Sequence, residues 1–371
     1  MQTLPARIGY AVDAIDTPAL VVDLDAFERN LDLMANAVRG AGVALRPHAK
    51  SHKCPNIAFA QIERGAVGIC CQKVGEAEAF VAAGIRDVLV TNEIVGHAKL
   101  LRLAVLAKKA TIGVLADDAA TVLHIGAAAR AAGTSIAVLV EINVGANRCG
   151  TLPGAPAVAI AETIARTPGL SFRGIHAYHG AAQHRRTPEE RRAAIARAAE
   201  LASQTKSAIE AAGIACPTVT GAGTGTWQLE RDSGVYTELQ PGSYIFMDAD
   251  YQRNALAPDE HAFEQSLFVL ATIMSTPTRE RAIVDAGLKA FAFDSGPPMV
   301  HGASGWTYVK ASDEHGVLAV APDAKRPLIE DRVWLVPGHC DPTVNLYDWI
   351  VGVRGTRVEC LWPVAARGAL G

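Results

Sequence analysis

The chain has 371 residues, 50% of them apolar, and a formal net charge of −3 at pH 7. So balanced a charge gives no reason to expect nucleic acid as a partner, and the longest apolar runs are far shorter than the roughly 18 residues of a membrane span. The length allows two domains, or one barrel-sized domain with a smaller companion.

Targeting signals and cysteine usage both favour the cell interior. The N-terminal stretch "MQTLPARIGYAVDAIDTP" lacks the basic start and apolar core of a signal peptide, so we expect a cytoplasmic protein. The 7 cysteines are odd in number and have no framework spacing, which predicts reduced and mostly buried thiols.

The N-terminal segment predicts one strand and one helix. The strand lies in "TPALVVD", and the helix that follows places Phe27, Leu31, Met34 and Val38 on one face. Both precede the main pattern of the chain.

From residue 40 to residue 245, short apolar runs alternate with longer helical segments rich in Ala, Leu, Glu, Lys and Arg. Eight strand–helix units of this kind predict a (β/α)8 barrel. The alternative is an open doubly wound sheet, but no G-x-G-x-x-G sequence opens the first unit. The runs are 43–47, 67–71, 87–92, 110–115, 136–144, 170–178, 216–220 and 236–240.

After about residue 255 the pattern changes to short β-rich runs separated by turn residues, which predicts a C-terminal β-domain. We expect this domain to recruit the N-terminal strand. The predicted division is therefore an N-terminal strand segment at 1–24, a barrel at 25–254 and a β-domain at 255–371.

Polar residues follow the predicted barrel strands one after another. Because chemistry in such barrels sits at the carboxyl ends of the strands, these residues predict one shared site. They are His48, Lys50, Gln72, Asn92, Arg148, Tyr178, His179, Gln183 and His184.

The last two strands are followed by "TGAGTGT" and "PGSY". Glycine-rich turns at this place expose backbone N–H groups and small hydroxyls, which can bind a phosphate. The predicted cradle is Gly223, Thr224, Gly242, Ser243 and the adjoining Tyr244. The alternative is that these glycines merely turn the chain.

A phosphate cradle opposite a lysine indicates pyridoxal 5′-phosphate (PLP), which attaches to a lysine through its aldehyde and serves as an electron sink. Lys50 is favoured over Lys53 because it lies closer to the end of the first barrel strand. Arg46, His52 and Lys53 would lower the pKa of Lys50 by charge repulsion and so help to make it nucleophilic.

Long motifs across nearly the whole chain resemble the metal-dependent D-threonine aldolase family, which also holds D-serine dehydratases and 3-hydroxyaspartate aldolases. The resemblance implies a PLP fold of type III: a barrel of the alanine-racemase N-terminal type with a C-terminal β-domain, in a homodimer. It also implies that Lys50 carries PLP and that Arg148 and Tyr178 contact cofactor or substrate. The motifs are "RPHAKSHK", "GICCQKVGEAEAF", "VEINVGANRCG", "AYHGAAQH", "TGAGTGT", "GVYTELQPGSYIFMDADY", "DAGLKA", "DEHG" and "VPGHCDPTVNLYDWIVGVR".

The resemblance further implies a divalent metal beside the cofactor, at His339 and Asp341. In an extended segment these two side chains would point the same way and Cys340 would face away. Imidazole and carboxylate together suit Mn²⁺ or Mg²⁺. The D-serine dehydratases of the family have cysteine at the second ligand position, so Asp341 favours aldol cleavage.

These expectations combine into retro-aldol cleavage of a β-hydroxy-D-amino acid, with D-threonine giving glycine and acetaldehyde. His184 is the first choice for the base that takes the β-hydroxyl proton, and His179 is the second. A 3-hydroxy-D-aspartate aldolase, which would release glyoxylate, and a dehydratase acting on D-serine or hydroxyaspartate are alternatives. A racemase and a non-enzymatic PLP carrier are weaker ones. The sequence leaves the β-substituent open between methyl, aryl and carboxylate.

Overall fold

The computed structural model of the chain describes residues 3–371. Two β-sheets organise it, one parallel with eight strands and one mostly antiparallel with nine. The cavity described below lies at the carboxyl ends of the parallel strands.

The N-terminal prediction of a strand and a helix is confirmed by β1 (Ala19–Asp23) and α1 (Leu24–Val38). The Asp23 side chain caps α1 by accepting hydrogen bonds from the backbone N–H groups of Asp25 and Ala26 at 2.9 and 3.2 Å. Phe27, Leu31 and Met34 are buried, as their spacing predicts.

All eight predicted barrel strands are present, and each is followed by a helix or a turn that returns the chain. The first and last strands contain only two residues each, because their pairing ends where the polar loops begin. The strands are β2 (Ala44–Leu45), β3 (Ile69–Cys71), β4 (Asp87–Glu93), β5 (Thr111–Ala116), β6 (Ile136–Glu141), β7 (Leu170–His176), β8 (Thr218–Gly221) and β9 (Glu238–Leu239). The helices are α2 (Pro55–Glu63), α3 (Val74–Ala82), α4 (His97–Leu106), α5 (Ala119–Ala132), α6 (Ala155–Arg166), α7 (Pro188–Ala211) and α8 (Trp227–Asp232).

The parallel sheet closes on itself, which rules out the open doubly wound alternative. Its order is β2-β9-β8-β7-β6-β5-β4-β3. The two end strands are joined by hydrogen bonds from Val67 N to Leu45 O (2.9 Å) and from Cys70 N to Pro47 O (2.8 Å). An open sheet would leave these groups unpaired at its edges.

Arg46 ties three barrel strands together from inside. It is 2% exposed; its Nε donates to Glu238 Oε2 at 2.9 Å and its Nη1 donates to Asp87 Oδ1 at 2.6 Å. These partners belong to β9 and β4, so one guanidinium links the first, last and third strands of the ring.

The second sheet contains the N-terminal strand. Strand β1 pairs antiparallel with β10 and parallel with β16, so the two ends of the chain share one sheet. A short helix, α9 (Cys340–Val344), packs from this side on the 3-10 turn Ala49–Ser51 of the barrel. The other strands are β10 (Leu267–Thr278), β11 (Arg281–Val284), β12 (Met299–His301), β13 (Trp306–Ala311), β14 (Gly316–Val320), β15 (Arg332–Val336), β16 (Trp349–Arg354) and β17 (Arg357–Pro363).

The helices and the cysteines of the described residues can be compared with the sequence analysis. In residues 3–371 no helix has both the length and the apolar composition of a transmembrane span. All 7 cysteines lie in this range and are unpaired, and most are buried, as their number and spacing predict.

Replacing Arg46 tests the interior ion pairs. Arg46→Met should lower the free energy of unfolding by about 3–5 kcal/mol, because it leaves the buried Glu238 carboxylate without a positive partner. The matched control is Arg29→Met, which breaks an ion pair with Glu264 whose side chains are 58% and 49% exposed. It should leave the midpoint of the same urea titration nearly unchanged. Equal losses in the two variants would contradict the role given to Arg46.

Candidate active site

A cavity of about 400 Å³ opens at the carboxyl ends of the barrel strands. It is lined by most of the residues that the sequence singles out for one shared site. These are His48, Lys50, Gln72, Arg148, Tyr178, His184, Gly223, Thr224, Gly242 and Ser243.

Lys50 faces Asp341 across the boundary between the barrel and the second sheet. Its Nζ lies 2.9 Å from Asp341 Oδ2. The negative charge of Asp341 raises the pKa of Lys50 well above its usual value and outweighs burial, which lowers it. Burial by itself would raise the pKa of Asp341, but Lys50 and His339 lower it below its ordinary value. In this state Lys50 is an ammonium ion held by a carboxylate.

The basic stretch around Lys50 therefore does not act as predicted, because its cations do not face Lys50. Arg46 is paired inside the barrel, as described above. Lys53 is buried, with its Nζ 3.1 Å from Glu76 Oε1 and 2.9 Å from Asn345 Oδ1. The predicted lowering of the Lys50 pKa is wrong for this reason, whereas the preference for Lys50 over Lys53 agrees with their positions.

The two histidines of the stretch are neutral. Burial lowers the pKa of His52 to about 3, and His52 Nδ1 accepts a hydrogen bond from Cys54 N at 3.1 Å. Burial likewise lowers the pKa of His48 well below its usual value. His48 Nε2 lies 2.8 Å from Thr91 Oγ1 and 3.4 Å from Gln72 Nε2. Only Lys50 carries a positive charge from this stretch into the cavity.

Two hydroxyl groups of the cavity lining lack partners, one in a glycine-rich turn and one in the 3-10 turn Ala49–Ser51. Within the described residues, Thr224 Oγ1 and Ser51 Oγ are buried without a hydrogen-bond partner, although both residues line the cavity. A buried hydroxyl without a partner is unfavourable by about 1–3 kcal/mol, so a bound group that accepts from it is stabilised. At Gly242 a Cβ would lie 2.4 Å from Ser51 Oγ and 2.7 Å from His48 O, so any side chain would close this end. The turns therefore fit a phosphate.

One predicted cradle residue, Tyr244, requires correction, and one, Gly223, is in close contact with Gln183. The Tyr244 side chain does not line the cavity, because its hydroxyl accepts from Gln61 Nε2 at 3.1 Å and its ring packs against Phe263. A Cβ at Gly223 would face Gln183 Oε1 at 2.6 Å. Gly223 therefore contributes backbone to the cavity wall, and a larger residue there would collide with Gln183.

Of the two candidate bases, His184 is the one in the cavity. Its Nδ1 lies 2.6 Å from Asp250 Oδ2, and Arg186 Nη2 holds the other carboxylate oxygen at 2.5 Å. This contact places the imidazole proton on Nδ1 and leaves Nε2 free to accept one. His179 is 7% exposed and does not line the cavity.

Arg148 and Tyr178 form one wall. The guanidinium carbon of Arg148 lies 5.8 Å from the centre of the Tyr178 ring, a cation–π distance. Arg148 Nη2 also lies 3.7 Å from Glu141 Oε1. Asn92 stays outside the cavity, where its Nδ2 donates to the backbone oxygen of Gln72 at 3.1 Å.

Several cavity residues are not among the predicted cofactor, catalytic or metal positions. His176 Nε2 contacts Gln240 Oε1 at 3.2 Å, and both side chains line the cavity. His176 lies two positions before Tyr178, on the same face of the strand and its extension, so strand alternation was a signal for it. The other unassigned lining side chains are Ser51, Thr91 and Tyr251, and the partner of His184, Asp250, is unassigned as well.

The predicted metal pair lies beside Lys50, but its backbone differs from the expectation. His339 precedes helix α9 and Cys340 begins it, so the segment is not an extended strand. Cys340 does not face away: it is fully buried, with its Sγ 3.3 Å from Asp341 Oδ1. His339 Nδ1 lies 2.7 Å from Asp294 Oδ2.

The imidazole of His339 and the carboxylate of Asp341 are the kinds of donor that bind a divalent metal ion. A carboxylate on one ring nitrogen of a histidine is the usual support for a metal on the other, and Asp294 supplies it to His339. Among residues 3–371 no group of three or more His, Cys, Asp or Glu side chains is placed to hold a metal. Water or substrate would complete the coordination of a two-residue site.

A second cluster lies near Arg148. Glu93 and Glu141 end strands β4 and β6. Burial, assisted by Glu141, raises the pKa of Glu93 to about 7. Burial also raises the pKa of Glu141 above its ordinary value, although Arg148 lowers it. His176 Nδ1 is 3.8 Å from Glu141 Oε1, so the two acids lie behind His176 and Arg148 of the cavity wall.

Comparison with known proteins agrees with this geometry. The family model described as "Alanine racemase, N-terminal domain" matches residues 22–250, and one for a serine dehydratase domain matches residues 266–353. The chain is 49% identical to a D-threonine aldolase of Arthrobacter sp, covering 98% of this chain and 96% of that one. It is 46% identical to a 3-hydroxy-D-aspartate aldolase of Paracoccus denitrificans (strain Pd 1222), covering 98% and 95%. The crystal structure of a D-threonine aldolase from Filomicrobium marinum superposes with a TM-score of 0.97 at 49% identity and 100% coverage of both chains.

The raised pKa of Glu93 predicts a pH dependence of stability. Between its ordinary pKa of 4.5 and about 7, Glu93 is ionised in the unfolded chain and protonated in the folded one. Its contribution to the free energy of unfolding therefore falls as pH rises through this window, and Glu93→Gln should flatten the slope. Urea titrations at several pH values measure it, with Glu162→Gln, at a side chain that is 40% exposed, as the unaffected control. An identical slope in Glu93→Gln and the unmodified protein would contradict the assignment.

Proposed function

Because this chain belongs to the alanine racemase-type family, in the branch that holds the D-threonine and 3-hydroxy-D-aspartate aldolases, we propose that it cleaves β-hydroxy-D-amino acids between Cα and Cβ. It is a lyase, and D-threonine, giving glycine and acetaldehyde, is the leading substrate. PLP and a divalent metal, Mn²⁺ or Mg²⁺, are its proposed cofactors.

The observation that carries the proposal is the contact between Lys50 and Asp341. It brings the lysine that would attach PLP within 2.9 Å of the carboxylate that would bind the metal. These two residues come from different sheets, so only the folded chain places cofactor chemistry and metal chemistry at one substrate.

The cavity has a fitting group for each end of PLP. Lys50 Nζ would hold the aldehyde carbon. Thr224 Oγ1 and Ser51 Oγ, unpartnered among residues 3–371, would donate to the phosphate beside Gly242. When bound, PLP supplies a conjugated ring that accepts the electron pair left on Cα as the Cα–Cβ bond breaks.

His184 takes the proton of the substrate's β-hydroxyl through Nε2, because Asp250 engages its Nδ1. Loss of this proton lets the β-oxygen form the aldehyde C=O as the carbon–carbon bond breaks. Return of a proton to Cα completes glycine. The ion pair with Arg186 keeps Asp250 ionised. Asp250 therefore orients His184 as a carboxylate and does not take up the proton.

His339 and Asp341 would hold the metal, with Asp294 fixing the imidazole of His339. The chemistry that a divalent ion supplies at such a place is to make a bound hydroxyl more acidic. Arg148 and Tyr178 contact cofactor or substrate from the opposite wall.

A second candidate substrate is 3-hydroxy-D-aspartate. Arg148 lines the cavity with a side chain that is 52% exposed and only loosely paired with Glu141 at 3.7 Å. Such a guanidinium can bind a second substrate carboxylate.

The proposal also includes the domain division given above, with an N-terminal segment at 1–24, a barrel at 25–254 and a β-domain at 255–371. It further includes a homodimer and a cytoplasmic location.

Product analysis tests the function. With PLP and Mn²⁺ the protein should release glycine and acetaldehyde from D-threonine and leave L-threonine unchanged. The ratio of kcat/KM for D-threonine to that for D-3-hydroxyaspartate decides between the two aldolase readings. Ammonia with an α-keto acid, in place of glycine with an aldehyde, would identify a dehydratase instead.

Lysine variants provide the matched control for this assay. Lys50→Ala should lose both the activity and the visible absorption of bound PLP, because no other amine lines the cavity within residues 3–371. Lys53→Met, at the neighbouring buried lysine, should keep the absorption. The reverse pattern would show that PLP is attached at Lys53.

Metal removal should separate the two cofactors. EDTA should abolish cleavage and leave PLP absorption intact, because the phosphate turns and Lys50 lie on the barrel. Mn²⁺ should restore activity.

Asp341→Ala should behave like the EDTA-treated protein, since one imidazole holds Mn²⁺ poorly. Calorimetric titration with Mn²⁺ should show binding lost in Asp341→Ala and weakened about 10–100-fold in Asp294→Asn. The exposed Asp323→Asn is the control. Full activity in verified metal-free protein would overturn this part.

A further inference from the structure

Gln183 joins two loops of the proposed site without lining the cavity. It lies in the 3-10 turn Gly180–His184 and is 0% exposed. Its Nε2 donates to Thr226 Oγ1 at 2.7 Å, and its Oε1 accepts from Gly225 N at 3.0 Å. The turn next to His184 is thus bound to the glycine-rich loop at 222–226.

The network fixes the orientation of the Gln183 amide. Its Nε2 also donates to His179 O at 3.3 Å. Thr226 Oγ1 accepts from Gln183 and donates its own hydrogen bond to Glu230 Oε1 at 2.8 Å. A flipped amide would place its oxygen against another acceptor, His179 O, and its NH₂ against another donor, Gly225 N–H. Both contacts would be repulsive. Gln183 can therefore make this set of bonds in one orientation only.

The glycines of the loop are explained by the same contact. Neither Gly223 nor Gly225 has a positive φ, so backbone conformation does not demand glycine there. A Cβ would lie 2.6 Å from Gln183 Oε1 at position 223 and 2.4 Å from Gln183 O at position 225. Both glycines let the loop approach Gln183.

The backbone of Gln183 reaches the support of His184 as well. Gln183 O accepts from Asn254 Nδ2 at 2.9 Å, and Asn254 Oδ1 accepts from Arg186 Nη1 at 2.7 Å. Arg186 in turn holds Asp250, the partner of His184. An unbroken chain of polar contacts, buried at Gln183 and Asn254, therefore runs from the glycine-rich loop to the base.

We infer that Gln183 is a positioning residue that couples occupancy of the phosphate loop to the placement of His184. The inference rests on the proposed function for the roles of that loop and of His184. Anion binding orders Thr224 to Thr226, and the Gln183 amide transmits this order to the turn that ends at His184. Cofactor binding then sets the position of the base.

Hydrogen exchange of the apo and PLP-bound protein tests the coupling. In the unmodified protein PLP should slow exchange in residues 222–226 and also in 180–186. In Gln183→Met, which keeps the length but not the hydrogen bonds, PLP should slow exchange in 222–226 only. Its dissociation constant for PLP should rise roughly tenfold, as loss of one or two hydrogen bonds implies.

Variants at Thr226 keep the test decisive if Gln183→Met does not fold. Thr226→Val should show the same uncoupling to a smaller degree, and Thr226→Ser, which retains the hydroxyl, should match the unmodified protein. Protection of both segments in Gln183→Met or Thr226→Val, with PLP affinity within about twofold, would overturn the inference. Coupled segments in a protein that cleaves no β-hydroxy-D-amino acid would overturn the proposed function and leave the coupling intact.

Discussion

An ionised carboxylate that is largely removed from water is stabilised by a positive charge beside it, and in this molecule Asp341 obtains one from Lys50. This ion pair ties helix α9 to the 3-10 turn Ala49–Ser51 of the barrel. The residues that line the cavity lie between His48 and Tyr251, and the ion pair fixes the position of Lys50 among them. In the proposed function, a metal ion held by His339 and Asp341 would be a second cation for the same carboxylate.

Much of the barrel could be predicted because its signals are local. Alternation of apolar runs with helical segments located all eight strands, and the rule that chemistry follows the carboxyl ends of strands placed Lys50, Tyr178 and His184 together. This rule points to residues that follow a strand, and His176 is the last residue of β7 itself. Its two-residue spacing from Tyr178 was the signal that could have identified it.

The parts that could not be predicted depend on partners distant in the sequence. Arg46 and Glu238 are separated by 192 positions, and Lys53 and Asn345 by 292. Lys50 and Asp341 are as far apart in the sequence, and Asp341 is the reason that the pKa of Lys50 is raised and not lowered as the cluster of basic residues predicts. The orientation of Tyr244 and the helical turn at Cys340 likewise depend on packing between the two sheets, and no short-range pattern contains it.

The place of β1 between β10 and β16 has a consequence for how the protein is made. Residues 19–23 leave the ribosome early, but one neighbouring strand begins at Leu267 and the other ends at Arg354. At about 5–20 residues per second, the strand waits on the order of tens of seconds with both edges unpaired. Its apolar run "ALVV" is then exposed beside a barrel that can already close. The residues that line the cavity are all made by Tyr251, but Lys50 can pair with Asp341 only after the C-terminal part of the chain has been synthesised.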